Sequence, residues 1–151
     1  MRDEVSVEFL NAELYCIYSA MSRLHGKGAW DIVLLSGEIL FDNLEKELDI
    51  TETDPIAVLT RVGKWFEHVG YVERTEFKMV GDGLLEYHMW NPLIINAGRR
   101  LIEEGSAAPH FSTTLGMAAL KKKCGMGAEM LDDAHIDPDG HVWETWRLRK
   151  L

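Results

Sequence analysis

The spacing of apolar residues predicts a helix at the start of the chain. Over residues 3–24 apolar side chains recur every three or four positions, as they do on one face of a helix. Gly26 and Gly28 are expected to end this helix. The predicted buried face consists of Leu10, Leu14, Ile17, Met21 and Leu24.

Two more helices are predicted before residue 71. The second covers about residues 30–48 and is apolar nearly all round, so it must be covered on most sides. The third begins with Thr53 or Asp54 as its N-cap and Pro55 in its first turn, and it ends at Gly70.

The rest of the chain alternates between strand-like and helical patterns. Residues 71–80 and 84–91 are two strand-like runs joined by a glycine turn, which predicts a β-hairpin. A fourth helix is predicted over 92–105 and a fifth over 109–124. Residues 128–150 form a second predicted hairpin around the turn DPDG.

These elements predict an α+β fold, an α/β plait of about five helices packed on an antiparallel sheet built from two hairpins. The 151 residues fit one domain, with residues 1–28 as an N-terminal helix and 29–151 as its core. Two long apolar helices carry more apolar surface than one small chain can cover. We therefore expect a homodimer formed through these helices.

Composition and charge narrow the possible partners. With 46% hydrophobic and 27% charged residues the chain has the composition of a globular protein, and no segment approaches the roughly 20 unbroken apolar residues of a membrane span. The first residues are acidic where an export signal would be basic and apolar, so we expect a cytoplasmic protein. A net charge of −9 disfavours a nucleic-acid partner. The candidates for a local basic patch are Lys121, Lys122 and Lys123, along with Arg147, Arg149 and Lys150.

No catalytic signature is present: the sequence has no GxSxG, no HExxH, no Walker loop and no GxGxxG after a strand. His110, Cys124 and His135 lie in the last third of the chain, and they would form a zinc or iron site if the fifth helix packs on the last hairpin. Cys124 beside a histidine would alternatively be a reactive thiol. A buried, inert cysteine is the simplest interpretation.

Two of the five tryptophans stand three positions apart on the last predicted strand. Because strand side chains alternate, Trp143 and Trp146 must point to opposite faces of the sheet. One of them faces the helices, and the other requires cover from a partner chain, a ligand or a loop.

The order of elements and several motifs resemble the 4-vinyl-reductase domain family over roughly residues 32–148. The motifs are VLLSGEILF, HVGYVE, a hairpin leading into Asn91-Pro92, PHFSTTLGMAAL with its helix glycine Gly116, GAEMLDDAHI and the closing hairpin. The family shares its fold with the ligand-binding domain of NO-signalling and Golgi-transport (TRAPP) proteins. The resemblance implies a dimer that encloses an apolar pocket for a small hydrophobic molecule, and it implies no hydride chemistry in these residues.

The resemblance also bears on the metal hypothesis. In that family the position matching His110 is often cysteine, and cysteines recur near the position of His135, where some members use them for metal. This sequence has histidine at both matches, with no evident third ligand among Val142, Trp143 and Glu144.

The leading hypothesis is a homodimeric sensor or carrier of a small apolar or aromatic ligand. Its predicted pocket is lined by Trp90, Phe111, Leu115 and Trp143, with His110 and Ser112 as the polar groups that orient the ligand. We also interpret Pro109 as the first turn of the fifth helix, which makes His110 part of a helix start. The alternatives are a protein that uses His110, Cys124 and His135 for metal or thiol chemistry, and an assembly subunit.

Overall fold

The computed structural model describes residues 4–151, which form five helices and a five-stranded antiparallel sheet and so confirm the predicted α+β fold. The helices are α1 (Val7–His25), α2 (Gly28–Leu48), α3 (Pro55–His68), α4 (Ile95–Glu103) and α5 (Phe111–Cys124). The strands are β1 (Arg74–Gly81), β2 (Leu84–Trp90), β3 (Met126–Met130), β4 (His135–Ile136) and β5 (His141–Lys150).

The last strand, β5, is the centre of the sheet. It pairs with β2 along one edge and with both β3 and β4 along the other, and β1 lies outside β2. The first strand of the predicted second hairpin is therefore broken in two, with residues 131–134 between the pieces. The first hairpin forms as predicted, around a turn at Asp82 and Gly83.

Helices α3 and α5 cover one face of the sheet, and α2 packs on α5. The inward positions of β2 are Leu85, Tyr87 and Met89, all buried, and Trp146 of β5 is fully buried beside them. The crossing of α2 and α5 is close, because a Cβ on Gly37 would lie 2.5 Å from the Cβ of Thr114. This contact fixes the position of the first turn of α5 against α2.

The predicted buried face of α1 is confirmed in part, because Leu14 and Met21 are half-buried in the core, but the helix is rotated relative to the prediction. Ile17 and Leu24 are exposed, whereas Asn11, Tyr18 and Ser19 are the buried residues of the helix. Asn11 explains the rotation: its side chain donates to the carbonyl of Leu93 at 3.0 Å and accepts from the amide of Ala97 at 2.9 Å. These two hydrogen bonds of Asn11 turn this side of α1 towards the start of α4. The predicted start at Asp3 lies outside the described residues.

Helix α2 keeps an uncovered apolar stripe in the single chain. Val33, Phe41 and Leu48 are buried, but Ile32, Leu35 and Ile39 are exposed. A homodimer that covers this stripe stays a prediction. In residues 4–151 no helix combines the length and apolarity needed to cross a membrane.

The three consecutive lysines of α5 do not form a free basic patch. Each one pairs with a carboxylate on α2 at 2.7–3.2 Å: Lys121 with Glu38, Lys122 with Asp42 and Lys123 with Glu45. The exposed pairs contribute little stability, but they neutralise the lysine charges that could have attracted an anionic partner.

Candidate functional site

An apolar cavity lies where the first turns of α4 and α5 meet β2 and β5. Its volume is about 50 Å³. Apolar groups form most of its wall, and its polar lining residues are Tyr71, His110, Ser112, Thr113 and Glu144. The volume exceeds the roughly 10–15 Å³ that one water molecule requires, and it is smaller than a typical pocket of about 300–1,000 Å³ for a drug-sized ligand. The cavity therefore suits a short apolar group, such as the end of a larger molecule.

A wider groove adjoins the cavity. It encloses about 610 Å³ between the α1–α2 turn, the end of α4 and the segment after β3. Lys27, Asp132 and Asp133 supply its charged groups. The groove and the cavity share the lining residues Ile102, Ala108 and His110. The two are therefore neighbours, the cavity small and apolar and the groove larger and more polar.

Glu144 is the buried charge-bearing residue of this site. Strand alternation sends it inward from β5 between Val142 and Trp146, and its exposed fraction is 1%. Its carboxylate accepts hydrogen bonds from the Thr113 hydroxyl at 2.6 and 2.8 Å and from the Trp146 indole N–H at 2.9 Å. A buried carboxylate is tolerated when it is hydrogen-bonded in this way, and the nearby N-terminus of α5 also favours a negative charge.

His110 lies between this carboxylate and the groove. Its Nδ1 is 3.3 Å from Oε2 of Glu144, slightly longer than an ordinary hydrogen bond, and the edge of Trp30 approaches with ring centroids 5.5 Å apart. The interpretation of Pro109 as the first turn was wrong, because α5 begins at Phe111 and His110 is its N-cap.

The backbone of His110 adopts a left-handed conformation, with φ 46° and ψ 45°. Its side chain makes no capping hydrogen bond to the helix. For a residue other than glycine this conformation costs on the order of 1 kcal/mol or more, and such residues concentrate at functional sites. The imidazole is therefore held at the cavity by its surroundings and serves no helix-capping role.

Two phenols behind and beside the cavity stay protonated over a wide pH range. Burial raises the pKa of Tyr71, whose phenol is enclosed by protein although part of the residue is exposed, and the charge of Glu144 raises it further. Burial also raises the pKa of Tyr87 well above its ordinary value, and the Ser112 hydroxyl, which lies nearby but outside hydrogen-bond geometry, opposes this shift only in part. The Tyr87 hydroxyl is the one buried side-chain polar atom of residues 4–151 without a hydrogen-bond partner.

Two of the six predicted ligand residues line the cavity, namely His110 and Ser112. Phe111 instead packs between Tyr18 and Tyr71, with ring centroids 6.4 and 6.1 Å away. Leu115 is fully buried in the main core. The prediction identified the segment that forms the site, but it assigned too much of that segment to the cavity wall.

The other two, Trp90 and Trp143, lie on the opposite face of the sheet. The alternation that sends Met89 and Val142 inward sends these tryptophans outward, away from the helices. Trp90 packs between the Arg74 guanidinium at 3.7 Å and the His141 ring at 4.7 Å. Trp143 packs on His135 at 5.1 Å. Trp143 therefore finds its cover in neighbouring side chains of its own sheet.

The predicted metal ligands His110, Cys124 and His135 do not come together. Cys124 is at the far end of α5, about 20 Å from His110 along the helix axis at 1.5 Å per residue, and His135 is on the outer face of the sheet. Across residues 4–151 no group of three or more His, Cys, Asp or Glu side chains is placed to hold a metal ion. Burial and the charge of Asp54 raise the pKa of the Cys124 thiol, which is the opposite of thiol activation.

Sequence reasoning missed Glu144 and Thr113 as members of the site. The signal for Glu144 was present, since it occupies an inward position between two apolar residues of a strand. A charged residue in such a position must find partners in the core. Thr113 carried no comparable signal, because a threonine in a helix is common on any face.

No known protein-family model matches this chain, and no curated protein matches it significantly. The function is therefore inferred from the geometry of the site. The resemblance to the 4-vinyl-reductase domain family stays a prediction.

Proposed function

We propose that this protein binds a small, largely apolar molecule and acts as a sensor or carrier, with the apolar end of the ligand in the cavity and the remainder in the groove. One observation carries the proposal: a small apolar cavity with a few convergent polar groups adjoins a groove large enough for a small ligand, and His110 lines both. The 4-vinyl-reductase resemblance leads to the same function.

The composition of the two compartments supports an amphipathic ligand. Burying an apolar group in the inner cavity contributes about 25 cal/mol for each Å² removed from water. His110 and Ser112 are within the wall and would orient a polar atom of the ligand. The outer groove offers Lys27, Asp132 and Asp133, which favour a polar or charged remainder.

Binding is tested by screening small apolar and aromatic compounds with ligand-detected NMR and by native mass spectrometry of the purified protein. Gly98 borders the cavity, and a Cβ built there meets no atom within 4 Å, so the Gly98→Leu variant is expected to fill the cavity and weaken binding. Ala12→Leu, on the exposed side of α1, is the matched control and should bind normally. Absence of binding by the wild type, or equal binding by both variants, contradicts the proposal.

A homodimer in the cytoplasm is the second part of the proposal, and its support is the apolar surface left on α1 and α2. Leu24 is 79% exposed and Leu35 is 55% exposed, with Phe9 and Ile39 in the same two helices. Exposed apolar stripes of this kind are typical of protein–protein interfaces. This surface also suits the alternative of an assembly subunit, whose partner would be a different chain.

Light scattering coupled to gel filtration tests this part. We expect a dimer for the wild type, a monomer for Leu35→Glu and a dimer for Thr60→Glu, which adds the same charge at an exposed polar position of α3. A monomeric wild type at high concentration would rule out the homodimer.

A further inference from the structure

We propose that the part of the ligand that enters the cavity is a short apolar chain with a protonated primary amine, and that this amine binds Glu144. The inference rests on the proposed function, because it concerns the same cavity, and it narrows the ligand to one chemical class. An alkylammonium ion combines a compact apolar chain with a cationic hydrogen-bond donor. Carboxylic acids and purely apolar molecules are then weaker ligands.

The carboxylate of Glu144 has acceptor capacity that the protein does not use. Its two oxygens offer about four acceptor positions. The Trp146 indole and the Thr113 hydroxyl each have one proton to donate, so Thr113 satisfies only one of the two oxygens that it approaches. His110 adds at most one more donor, at 3.3 Å from Oε2. At least one acceptor position therefore remains, on a side chain that belongs to the cavity wall.

The charge of Glu144 has no lysine or arginine partner. Within residues 4–151 neither residue type lies within 4.0 Å of this carboxylate, and neither lines the cavity. A cation at contact distance would therefore gain an attraction that no side chain already provides. In the neighbouring groove Asp132 and Asp133 outnumber Lys27, so the surroundings are also negative. The net charge of −9 favours the approach of cations from solution.

Other polar groups of the cavity wall match the remaining protons of an ammonium group. The Ser112 hydroxyl donates to Sδ of Met89 at 3.9 Å, so its oxygen remains free to accept. Burial holds the pKa of the Tyr71 phenol above its usual range, so Tyr71 brings a neutral hydroxyl and no second charge to the wall. An ammonium group has three N–H donors and no acceptor, and this wall offers it a carboxylate and two neutral oxygens.

Two other classes of ligand fit this wall less well. A purely apolar molecule would exclude water from the unused acceptor position of Glu144 and leave it without a partner, which is unfavourable for a buried charged group. A carboxylic acid, which is ionised at neutral pH, would place a second negative charge beside the first. The aliphatic part of the wall, which includes Ile95, Ile102 and Val142, covers the short chain that carries the amine.

Three probes with the same alkyl chain test the proposal: n-butylamine, butan-1-ol and pentanoate. At about pH 8 the amine is protonated, as lysine side chains are, and histidines are ordinarily neutral. Dissociation constants are measured by amide NMR titration, with Gly98, Ser112 and Val142 as reporters of the cavity wall. We expect n-butylamine to bind about tenfold more tightly than butan-1-ol, because an ion pair in a partly buried site outweighs its desolvation cost when hydrogen bonds accompany it. Pentanoate should bind more weakly than butan-1-ol.

Glu144→Gln and Glu76→Gln are the matched variants. Each removes one carboxylate charge, but Glu76 is exposed on β1 and does not line the cavity. The preference for n-butylamine over butan-1-ol should disappear in Glu144→Gln and persist in Glu76→Gln. Circular dichroism confirms that each variant is folded. If Glu144→Gln does not fold, the order of the three dissociation constants in the wild type decides the matter by itself.

The possible outcomes separate the two proposals. If none of the three probes binds, the cavity takes up no short apolar chain, and the proposed function is contradicted. If butan-1-ol or pentanoate binds as tightly as n-butylamine, the cavity function stands and the assignment of an amine is overturned. An undiminished preference for n-butylamine in Glu144→Gln would also overturn it, because the cation would then be bound by another group.

Discussion

Replacing Gly37 with alanine is expected to push α2 and α5 apart. A Cβ at this position would lie 2.5 Å from Cβ and 2.6 Å from the carbonyl oxygen of Thr114, whereas such atoms pack at about 3.5–4.0 Å. The carbonyl belongs to the backbone, so no change of rotamer removes the clash. The two helices must therefore separate by about 1 Å, and this moves the neighbouring Thr113 away from Glu144.

Two opposing effects set the change in the free energy of unfolding. Overpacking of this kind costs about 1–3 kcal/mol, and alanine offsets up to about 1 kcal/mol of this because glycine is a poor helix former. We expect the Gly37→Ala variant to lose about 1–2 kcal/mol of unfolding free energy, measured by equilibrium denaturation in urea.

Gly98→Ala is the control, because a Cβ at Gly98 meets no atom within 4 Å and only the helix preference of alanine acts there. This variant should gain about 0.5–1 kcal/mol. The reasoning is refuted if Gly37→Ala is as stable as the wild type, or if the two alanine variants are destabilised equally.

Three further predictions concern single residues and pH. Asp49 ends α2 in a left-handed conformation (φ 46°), so Asp49→Gly should raise the melting temperature by an amount equivalent to about 0.5–1 kcal/mol, whereas Asp49→Ala should not. Tyr87→Phe removes a buried hydroxyl without a partner and should leave the unfolding free energy equal or higher; a loss of more than about 1 kcal/mol in urea denaturation would mean that the hydroxyl is hydrogen-bonded in solution. The raised pKa values of Tyr18, Tyr71 and Tyr87 mean that the unfolded chain loses these protons first, so the associated stability is complete below about pH 10 and is lost as the pH rises further. Ultraviolet absorbance of the phenolates in an alkaline titration should show these three groups ionising together with unfolding, and ionisation of all three in the folded protein would contradict the prediction.

Elements with local signals were predictable from the sequence. Asp54 accepts from the amide of Ala57 and Pro55 opens α3, as the pattern indicated, and the glycine turn after β1 forms the first hairpin. The face of α1 was not predictable in this way. Its orientation depends on Asn11, whose partners on and before α4 are more than 80 positions away in the chain, and apolar spacing contains no information about such contacts.

The site was predictable in part for the same reason. The small-residue segment at the start of α5 pointed to His110 and Ser112, and both line the cavity. Alternation placed Trp143 and Trp146 on opposite faces, but it did not decide which face the helices cover. The left-handed backbone of His110 was not predictable from apolar spacing or strand alternation, because neither pattern contains information about a single residue's φ.

The interruption of the sheet edge at residues 131–134 allows the size of the groove to change without a large change in the stability of the fold. This stretch forms one wall of the groove, yet β3 and β4 on either side of it each pair with β5. Doubling the length of a loop costs only about 0.6 kcal/mol in closure entropy. Under the proposed function, longer or shorter versions of residues 131–133 would therefore adapt the groove to bulkier or slimmer compounds, while Ala134 and Glu144 keep their places in the cavity wall.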